Sequence, residues 1–271
     1  MRHVTPTVFL IAKTEIDYQE TRHWLGSIGA KQYILPEKQA IQMGTLLVQL
    51  AAKRCYMSYE VGPNPNITRV RKDLGDFIDN ILRVGHGSVL EHASCTFALE
   101  NVSRVFTAEM NRHRAGMAIS EGSMRYISFA DIPYWVPLSI QDEEEDSPHI
   151  LAAKGQTRAL FDRAFLQMED NYRELLAIWD YSESVKKFSE KKKLTSLFRR
   201  IIGTGVATGG VWSGNLRALR HIFTMRCSPH AEEEICMVAS MMLERMIESE
   251  PLIFKDFYKE DGFWKPWYIK V

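Results

Sequence analysis

The residues best suited to chemistry lie between Glu109 and Tyr126. Three cationic or titratable side chains follow one another at Arg112, His113 and Arg114. Across a link of small residues come a carboxylate, a hydroxyl and another guanidinium, at Glu121, Ser123 and Arg125. A guanidinium presents a planar fork of N–H donors that fits phosphate or carboxylate oxygens bidentately. Together these groups predict a pocket for a small anion with hydrogen-bonding groups, such as a nucleotide.

An Arg-His-Arg triplet is also typical of the solvated end of a surface helix, so it needs support from the rest of the chain. The composition restricts the possible partners. Lysine plus arginine total 34, aspartate plus glutamate also total 34, and the formal net charge is zero. No global positive field would attract nucleic acid or an anionic membrane, so any positive site must be local.

The sequence also lacks the signals of export and of membrane insertion. The apolar run Val8–Ala12 is too short for the core of a signal peptide. The longest uncharged run, Ile201–Asn215, contains five glycines and falls short of the roughly 18 apolar residues that a membrane span needs. The cysteines form no Cys-x-x-Cys pair and predict reduced thiols in a cytoplasmic protein. They are Cys55, Cys95, Cys227 and Cys236.

Hydrophobic periodicity predicts the elements that lead to the first candidate residues. Apolar residues recur at helical spacing from Thr45 to Tyr56 and again from Val70 to Leu82, where Gly85 is placed as a C-cap. A polar loop, Gly85–His92, follows, and alternation from Ser94 to Leu99 predicts a strand. The loop holds two histidines six residues apart, without a His-Glu-x-x-His spacing, and no metal site is predicted.

Further helices are predicted along the chain. One runs from Ser103 to about His113 and carries the triplet at its C-terminal end. Ser147-Pro148 begins a long amphipathic helix within a more variable section at about 137–195. Another helix spans Asn215–Arg226, whose two end residues point to nearly the same side because they are eleven positions apart. The last clear helix is Glu232–Glu248.

Two other stretches invite functional interpretations. The glycine-rich segment Gly203–Gly210 lacks the Lys-Ser/Thr of a P-loop and the glycine spacing of a dinucleotide fingerprint, so both interpretations are rejected. The basic cluster Lys191–Arg200 leaves open a nonenzymatic protein that binds nucleotides or RNA. The acidic run Asp142–Asp146 weakens that interpretation.

The ordered motifs resemble those of the flavin-dependent thymidylate synthases. In that family Arg-His-Arg is followed after seven or eight residues by serine, and here eight residues separate Arg114 from Ser123. Similar blocks recur across about 150 residues. They are Gly85-His86-Gly87-Ser88 with Glu91-His92, Ser103-Arg104, Glu121-x-Ser123-x-Arg125-Tyr126, and Asn215-x-Arg217 with His221, Arg226 and Ala231-x-x-Glu234-Ile235, with Arg199 and Thr208 upstream of the last block.

The resemblance implies a single domain over residues 1–271 with an α+β fold, in which helices surround an antiparallel sheet. It implies an FAD enzyme that methylates dUMP at C5 to give dTMP. Methylenetetrahydrofolate would donate the carbon and NADPH would reduce the flavin, which supplies the redox chemistry that side chains lack. It also implies a homotetramer whose subunits share active sites.

The resemblance assigns roles residue by residue. Arg226 and Ser123 are the catalytic candidates: fixed positive charge at Arg226 would stabilise negative charge that develops on the uracil. Ser123 is better suited to ligand contact than to nucleophilic attack, because no neighbouring base is evident. The candidates for nucleotide binding are Glu109, Arg112, Glu121, Ser123, Arg125, Arg199 and Arg226. The candidates for flavin binding are His86, Ser88, Glu91, Arg112, His113, Arg114, Asn215, Arg217 and His221.

Four departures from the family pattern put substrate detail in question. Glu109 stands where glutamine is usual, Ser120 replaces a frequent asparagine, and Ile202-Gly203 replaces Leu-Pro. The link after Arg114 has the longer of the two permitted lengths. A relative that alkylates C5 of another pyrimidine nucleotide, such as UMP, therefore remains a second hypothesis.

Overall fold

A computed structural model describes residues 1–38, 40–62 and 64–271. The chain divides into two compact units that are interleaved in sequence. The first unit comprises Met1–Val8, Ala98–Arg112 and Ile119–Val211, and the second comprises Phe9–Phe97, His113–Ala118 and Trp212–Val271. The single domain over residues 1–271 stays a prediction.

Helices make up most of the regular structure. They are α1 (Tyr18–Ser27), α2 (Met43–Tyr56), α3 (Leu74–Val84), α4 (Arg104–Met110), α5 (Pro148–Ile178), α6 (Phe188–Phe198), α7 (Leu216–Arg226), α8 (Glu233–Ser249) and α9 (Pro251–Phe254). Short 3-10 helices cover Gly87–His92, Leu138–Ile140 and Arg199–Ile201.

The strands in the described ranges form three small sheets. They are β1 (Arg2–His3), β2 (Thr7–Lys13), β3 (Ser94–Ser103), β4 (Met117–Glu121), β5 (Pro133–Tyr134), β6 (Ala207–Asn215), β7 (Phe257–Glu260) and β8 (Phe263–Pro266). The largest sheet has the order β2-β3-β6-β4. β1 pairs in parallel with β5 over two residues, and β7 pairs antiparallel with β8.

Neighbouring strands of the four-stranded sheet run in opposite directions. Just after β2 ends, Thr14 N donates to the carbonyl oxygen of Ser94, the first residue of β3, at 3.0 Å. Asn101, near the end of β3, donates to Thr5 O, just before β2 begins. The hydroxyls of Thr96 and Ser213 are likewise 2.8 Å apart, early in β3 and late in β6. The α+β class with an antiparallel sheet and surrounding helices is confirmed.

Side-chain caps explain where several helices begin. Asp73, Ser147 and Asn215 each precede a helix in extended conformation and accept a hydrogen bond from a backbone N–H in its first turn. Such a bond satisfies one of the donors that have no partner at a helix start. Gly85 ends α3 at φ 75°, in the left-handed region that favours glycine. The predicted C-cap is thus confirmed.

Strands β4 and β6 were missed, and the helix predicted from Ser103 to His113 was too long. That helix ends at Met110, so the Arg-His-Arg triplet follows it. Glycines obscured β6, because glycine is unfavourable in strands. A Cβ at Gly209 would meet the side-chain carboxylate of Glu100. The strand β6 therefore forms in spite of the low strand propensity of its glycines.

Each unit has its own apolar core. In the first unit, Phe165 stacks on Tyr134 at 4.1 Å between ring centroids and Tyr172 meets Phe198 edge to face. In the second, Leu25, Leu46 and Tyr59 belong to one cluster. The variable section contributes α5 and α6 to the first core. Burial of such side chains is the main favourable term in folding.

A buried ion pair fixes helix α7 in the second unit. Arg220 lies on α7 and Asp256 follows α9; their side chains are 2% and 4% exposed. Two parallel hydrogen bonds of 2.7 and 2.8 Å join them. Arg220 also donates to the carbonyl oxygens of Ile253 and Tyr268. The same guanidinium therefore ties α7 to α9 and to the segment that follows β8.

We predict that Asp256→Ala lowers the free energy of unfolding by about 3–5 kcal/mol, because it leaves a buried guanidinium without its counter-ion. Chemical denaturation measures this change. The control is Glu244→Ala, which breaks an ion pair with Lys259 whose side chains are 50% and 54% exposed. That loss should stay within about 1 kcal/mol. Equal effects of the two substitutions would contradict the anchoring role of Arg220.

Candidate functional site

The loop after α3 places His86 and Ser88 at the surface of the second unit. Gly85 turns the chain out of α3, and the 3-10 helix Gly87–His92 begins directly after His86. The His86 ring stacks on Tyr56 with 6.5 Å between centroids. Gly87 is buried and closely surrounded: a Cβ there would lie 2.8 Å from Nε of Arg217. Only glycine lets the guanidinium of Arg217 lie against this turn.

The start of α7 is held by Asn215. Its Oδ1 accepts a hydrogen bond from Ala218 N at 2.8 Å, and its backbone N–H donates to Gly116 O at 3.0 Å. Gly116 has φ 72°, and a Cβ there would lie 2.5 Å from Nδ2 of Asn215. Glycine is required both by this conformation and by this close approach. The residues after the Arg-His-Arg triplet are thereby fixed against the first turn of α7.

Arg217 joins two cavities in the second unit. Its Nη1 donates to Oε1 of Glu91 at 2.6 Å, with the two side chains 45% and 48% exposed. One cavity of about 330 Å³ is lined by Ala52, Cys55, Tyr56, Gly85, His86, Gly87, Ser88, Val89 and Arg217. The other, of about 340 Å³, is lined by Glu91, Ala115, Gly116, Asn215, Arg217, Ala218, His221 and Val271.

These two cavities collect most of the residues assigned to flavin binding. The set comprises His86, Ser88, Glu91, Asn215, Arg217 and His221. The sequence did not identify the walls supplied by Cys55, Tyr56 and Val271. Cys55 and Tyr56 end a helix that carried no chemical motif, and Val271 belongs to a segment without one. Arg114 is exposed after the turn and lines neither cavity among the described residues.

Arg226 and His113 are in direct contact. Nε of Arg226 donates to Nε2 of His113 at 2.9 Å, so this ring nitrogen acts as the acceptor. The His113 ring meets His221 edge to face at 6.1 Å. Arg226 is the last residue of α7, where a cation is favourable next to the negative end of the helix dipole. The catalytic candidate is thus held by the middle residue of the Arg-His-Arg triplet.

In the first unit, Glu121 lies in a hydrogen-bonded cluster with Arg104 and Asn111. Arg104 donates to Oε1 of Glu121 and to the carbonyl oxygen of Gly122. Asn111 Nδ2 donates to Oε2 of Glu121 at 2.8 Å. Burial lowers the pKa of the Arg104 guanidinium, the Glu121 carboxylate opposes this shift, and the charge of Arg199 adds to it. Glu121 is therefore held in place by protein partners.

Arg104 received no role in the sequence analysis, although it belongs to one of the family blocks. Its only signal was the Ser103-Arg104 pair. Ser103 caps α4 by accepting a hydrogen bond from Phe106 N at 3.1 Å, which starts the helix directly at Arg104. Nε of Arg104 is buried and has no hydrogen-bond partner among the described residues. Burial of such a donor is costly, and a ligand atom would relieve that cost.

The turn after Glu121 presents Ser123 and Arg125. Arg125 N donates to Oγ of Ser123 at 3.3 Å, and Thr195 of α6 donates from its hydroxyl to Arg125 O. Arg199 is the C-cap of α6. Within the described residues, no ion pair engages Arg112, Arg125 or Arg199. This unit therefore offers three cationic side chains to an anion. Glu109 lies half-buried in the last turn of α4.

The described residues contain no group of three or more His, Cys, Asp or Glu side chains that would hold a metal ion. None of the helices in the described ranges is long and apolar enough to span a membrane.

The basic cluster has partners within the protein. Lys191 and Lys192 lie over the rings of Tyr181 and Tyr126, at 5.3 and 4.9 Å. Their charges therefore have aromatic partners within the protein.

Comparison with known proteins decides the family. The model of the family described as "Thymidylate synthase complementing protein" matches residues 39–252. Flavin-dependent thymidylate synthase of Mycobacterium avium is 33% identical over 214 residues, covering 79% of this chain and 80% of that protein. This chain belongs to the flavin-dependent thymidylate synthase family. The prediction that it is an enzyme of this family is confirmed.

A second relative and two solved structures are also similar to the chain. The flavin-dependent thymidylate synthase of Mycolicibacterium gilvum is 32% identical over 262 residues, 95% of this chain and 92% of that protein. The UMP/dUMP methylase PolB of Streptomyces cacaoi, solved with 5-Br UMP, has TM-score 0.63 and 19% identity, covering 94% and 95% of the two chains. Thymidylate synthase X of Helicobacter pylori, solved with FAD and dUMP, has TM-score 0.53 and 21% identity, covering 78% and 93%.

The cavities around Arg217 fit a flavin dinucleotide in their chemistry. Hydroxyl, imidazole, amide and guanidinium donors suit the phosphates and carbonyl oxygens of such a cofactor. Gly87 and Gly116 keep the backbone close to those donors, since a Cβ at either position would meet Arg217 or Asn215. Aromatic and aliphatic walls, including Tyr56 and Val89, suit its rings.

We predict that Gly87→Ala weakens FAD binding by about tenfold or more, equivalent to at least about 1.4 kcal/mol. The added Cβ would displace the guanidinium of Arg217, and it would also lie 2.8 Å from the carbonyl carbon of Val271. Titration of the apoprotein with FAD, followed by flavin fluorescence, measures the change. The control is Gly26→Ala in α1, where the nearest atom to a Cβ is 3.8 Å away. Wild-type affinity in folded Gly87→Ala protein would refute this role.

Proposed function

We propose that the chain catalyses the FAD-dependent reductive methylation of dUMP at C5 to give dTMP. Methylenetetrahydrofolate would donate the carbon, and NADPH would be the reductant. The observation that carries the proposal is the convergence of family-motif residues far apart in sequence, such as His86, Asn215 and His221, on two cavities that share Arg217.

FAD would be held by the donors of the second unit. When bound, it supplies hydride chemistry that amino-acid side chains cannot perform. His86, Ser88 and Arg217 line one cavity, and Glu91 fixes the position of the Arg217 guanidinium. The relative solved with FAD and dUMP supports this choice of cofactor. Arg112, His113 and Arg114 are proposed as further flavin contacts.

The nucleotide would be held chiefly by residues of the first unit. Arg112, Arg125 and Arg199 provide positive charge for a phosphate, to which guanidinium forks are well matched. Ser123 adds a hydroxyl, while Glu121 positions the turn through Arg104 and Asn111. Glu109 is proposed as a further contact.

Arg226 is proposed to stabilise negative charge that develops on the uracil during reduction. A guanidinium keeps its charge at neutral pH and need not reorganise as that charge develops. The acceptor nitrogen of His113 holds Nε of Arg226 and so positions the charge of the guanidinium. His113 is thus a positioning residue in the proposal.

Release of tritium from dUMP labelled at C5 tests the reaction directly. We predict turnover when FAD, NADPH and methylenetetrahydrofolate are all present, because replacement of the C5 hydrogen by carbon liberates the label. Omission of any one component serves as the control. No release from dUMP under complete conditions, with FAD bound, would overturn the proposal.

UMP is a second candidate substrate. The similarity in fold to a UMP/dUMP methylase favours it, and so does Glu109, an acceptor-only carboxylate when ionised that suits a hydroxyl donor. The same assay with UMP labelled at C5 separates the two substrates. Release from UMP and none from dUMP would make the ribonucleotide the substrate.

We predict that Arg226→Ala lowers kcat by about 10²–10³, the usual effect of removing one donor that stabilises developing charge. The protein should remain folded and keep FAD. The control is Arg245→Ala, which removes an arginine of α8 whose side chain is 55% exposed and paired with Glu248. A near-normal kcat for Arg226→Ala would show that the C-terminal block is misassigned.

The oligomeric state, the location and the partners of the protein are also proposals. The family resemblance supports a homotetramer with shared active sites and a cytoplasmic location, without a membrane or nucleic-acid partner. Because the chain belongs to an enzyme family, the interpretation as a nonenzymatic RNA-binding protein is set aside.

A further inference from the structure

A third cavity of the second unit adjoins the proposed flavin site and has a different character. Its volume is about 260 Å³. It shares Ala52, Tyr56 and His86 with the cavity that contains Ser88 and Arg217. The other lining residues are Lys53, Ser58, Ile67, Arg69, Val70, Arg71, Phe77, Asn80 and Ile81. A molecule bound here would reach the flavin cavity by way of His86.

The charges around this cavity are all of one sign. Lys53, Arg69 and Arg71 contribute cations, and no carboxylate occurs in its lining as far as the described residues go. Arg69 and Arg71 also line a neighbouring cleft, whose wall contains Glu60, Asp73 and Asp76, whereas Lys53 lines only the cavity. Like charges in one lining repel one another unless an anion joins them.

Lys53 is the most unusual of these cations, because its side chain is almost wholly buried, at 2% exposure. Nζ donates to Ser58 O at 3.3 Å and lies over the rings of Phe77 and Tyr33, at 4.9 and 5.6 Å. No ion pair with a carboxylate is formed within the described part of the chain. Burial lowers the pKa of its amine, and an anion nearby would favour the charged form again.

The rest of the lining is apolar or aromatic. Ile67, Val70, Phe77 and Ile81 provide aliphatic and aromatic walls, and the Tyr56 ring stacks with His86. Such walls suit a flat ring, while arginine forks suit the oxygens of a carboxylate or phosphate. The cavity is therefore matched to a ring that carries a negative group.

We propose that this cavity binds the anionic aryl arm of a co-substrate whose other end reacts at the flavin. This inference rests on the proposed function for the identity of the co-substrates. Two sources offer the chemistry: the aminobenzoylglutamate arm of the folate and the adenosine 2′-phosphate arm of NADPH. Arg69 and Arg71 would bind the anionic group, and the ammonium group of Lys53 would lie near it.

Two fragments distinguish the sources without any turnover: p-aminobenzoyl-L-glutamate and adenosine 2′,5′-bisphosphate. Calorimetric titration into the FAD-bound protein measures their binding. We expect one fragment to bind and Arg69→Ala/Arg71→Ala to weaken it by about tenfold or more, since two charge-assisted contacts are lost. Lys72→Ala is the control: it removes one positive charge from the residue next to Arg71, which lines the neighbouring cleft and not this cavity.

Kinetics supply the second arm of the test. The double variant should raise KM for the co-substrate whose fragment binds and leave KM for the other unchanged. Binding of neither fragment, or equal binding to wild type and the double variant, would overturn the inference. Fragment binding by a protein inactive on both dUMP and UMP would refute only the proposed reaction, whereas turnover without fragment binding would refute only this cavity's role.

Discussion

The buried pair between Arg220 and Asp256 is the interaction on which the candidate site depends most. It holds α7, and α7 carries the donors that bracket the proposed flavin site, from Asn215 at its N-cap to Arg226 at its last residue. Both charged side chains are removed from water, and their two parallel hydrogen bonds offset the free-energy cost of that desolvation. The same guanidinium holds the final segment, because it also donates to the carbonyl oxygen of Tyr268.

The segment after β8, which Arg220 holds through Tyr268, packs against the proposed flavin site. Tyr268 donates from its hydroxyl to Asp79 on α3 at 2.9 Å, and Val271 lines the same cavity as Arg217 and His221. The carbonyl oxygen of Lys270 lies 2.7 Å from where a Cβ on Gly85 would be. The turn that presents His86 is thus packed between α3 and the end of the described chain, and its glycines are required by that packing.

Much of this arrangement was predictable from local sequence. Helical periodicity and capping residues located α3, α5, α7 and α8, because these helices combine an apolar face with a recognisable start or stop. The motif residues then indicated which helix ends would carry donors. The strand β6 escaped because it contains glycines, such as Gly209 and Gly214, which are unfavourable in strands. The strand β4 escaped because it lies in the link of small residues that follows the Arg-His-Arg triplet.

The site partners that were missed have a common cause. Arg104 on α4 contacts Glu121 on β4, and Tyr56 on α2 contacts His86 in the loop after α3. Lys53 lies on α2, whose apolar periodicity predicts a core helix and gives no sign of a binding site. Such pairings depend on three-dimensional packing, and no spacing rule within one segment encodes them. The motifs identified the donors, but only the fold shows which of them line one cavity.

The proposed flavin site around Arg217 can be tested by the absorption spectrum of the purified protein during titration with FAD. We expect stoichiometric uptake, with flavin bands shifted from those of free FAD, and a marked loss of affinity when Arg217 is replaced by alanine. A protein that remains colourless after exposure to FAD, or one that binds FAD equally well without Arg217, would contradict the assignment of these cavities to the flavin.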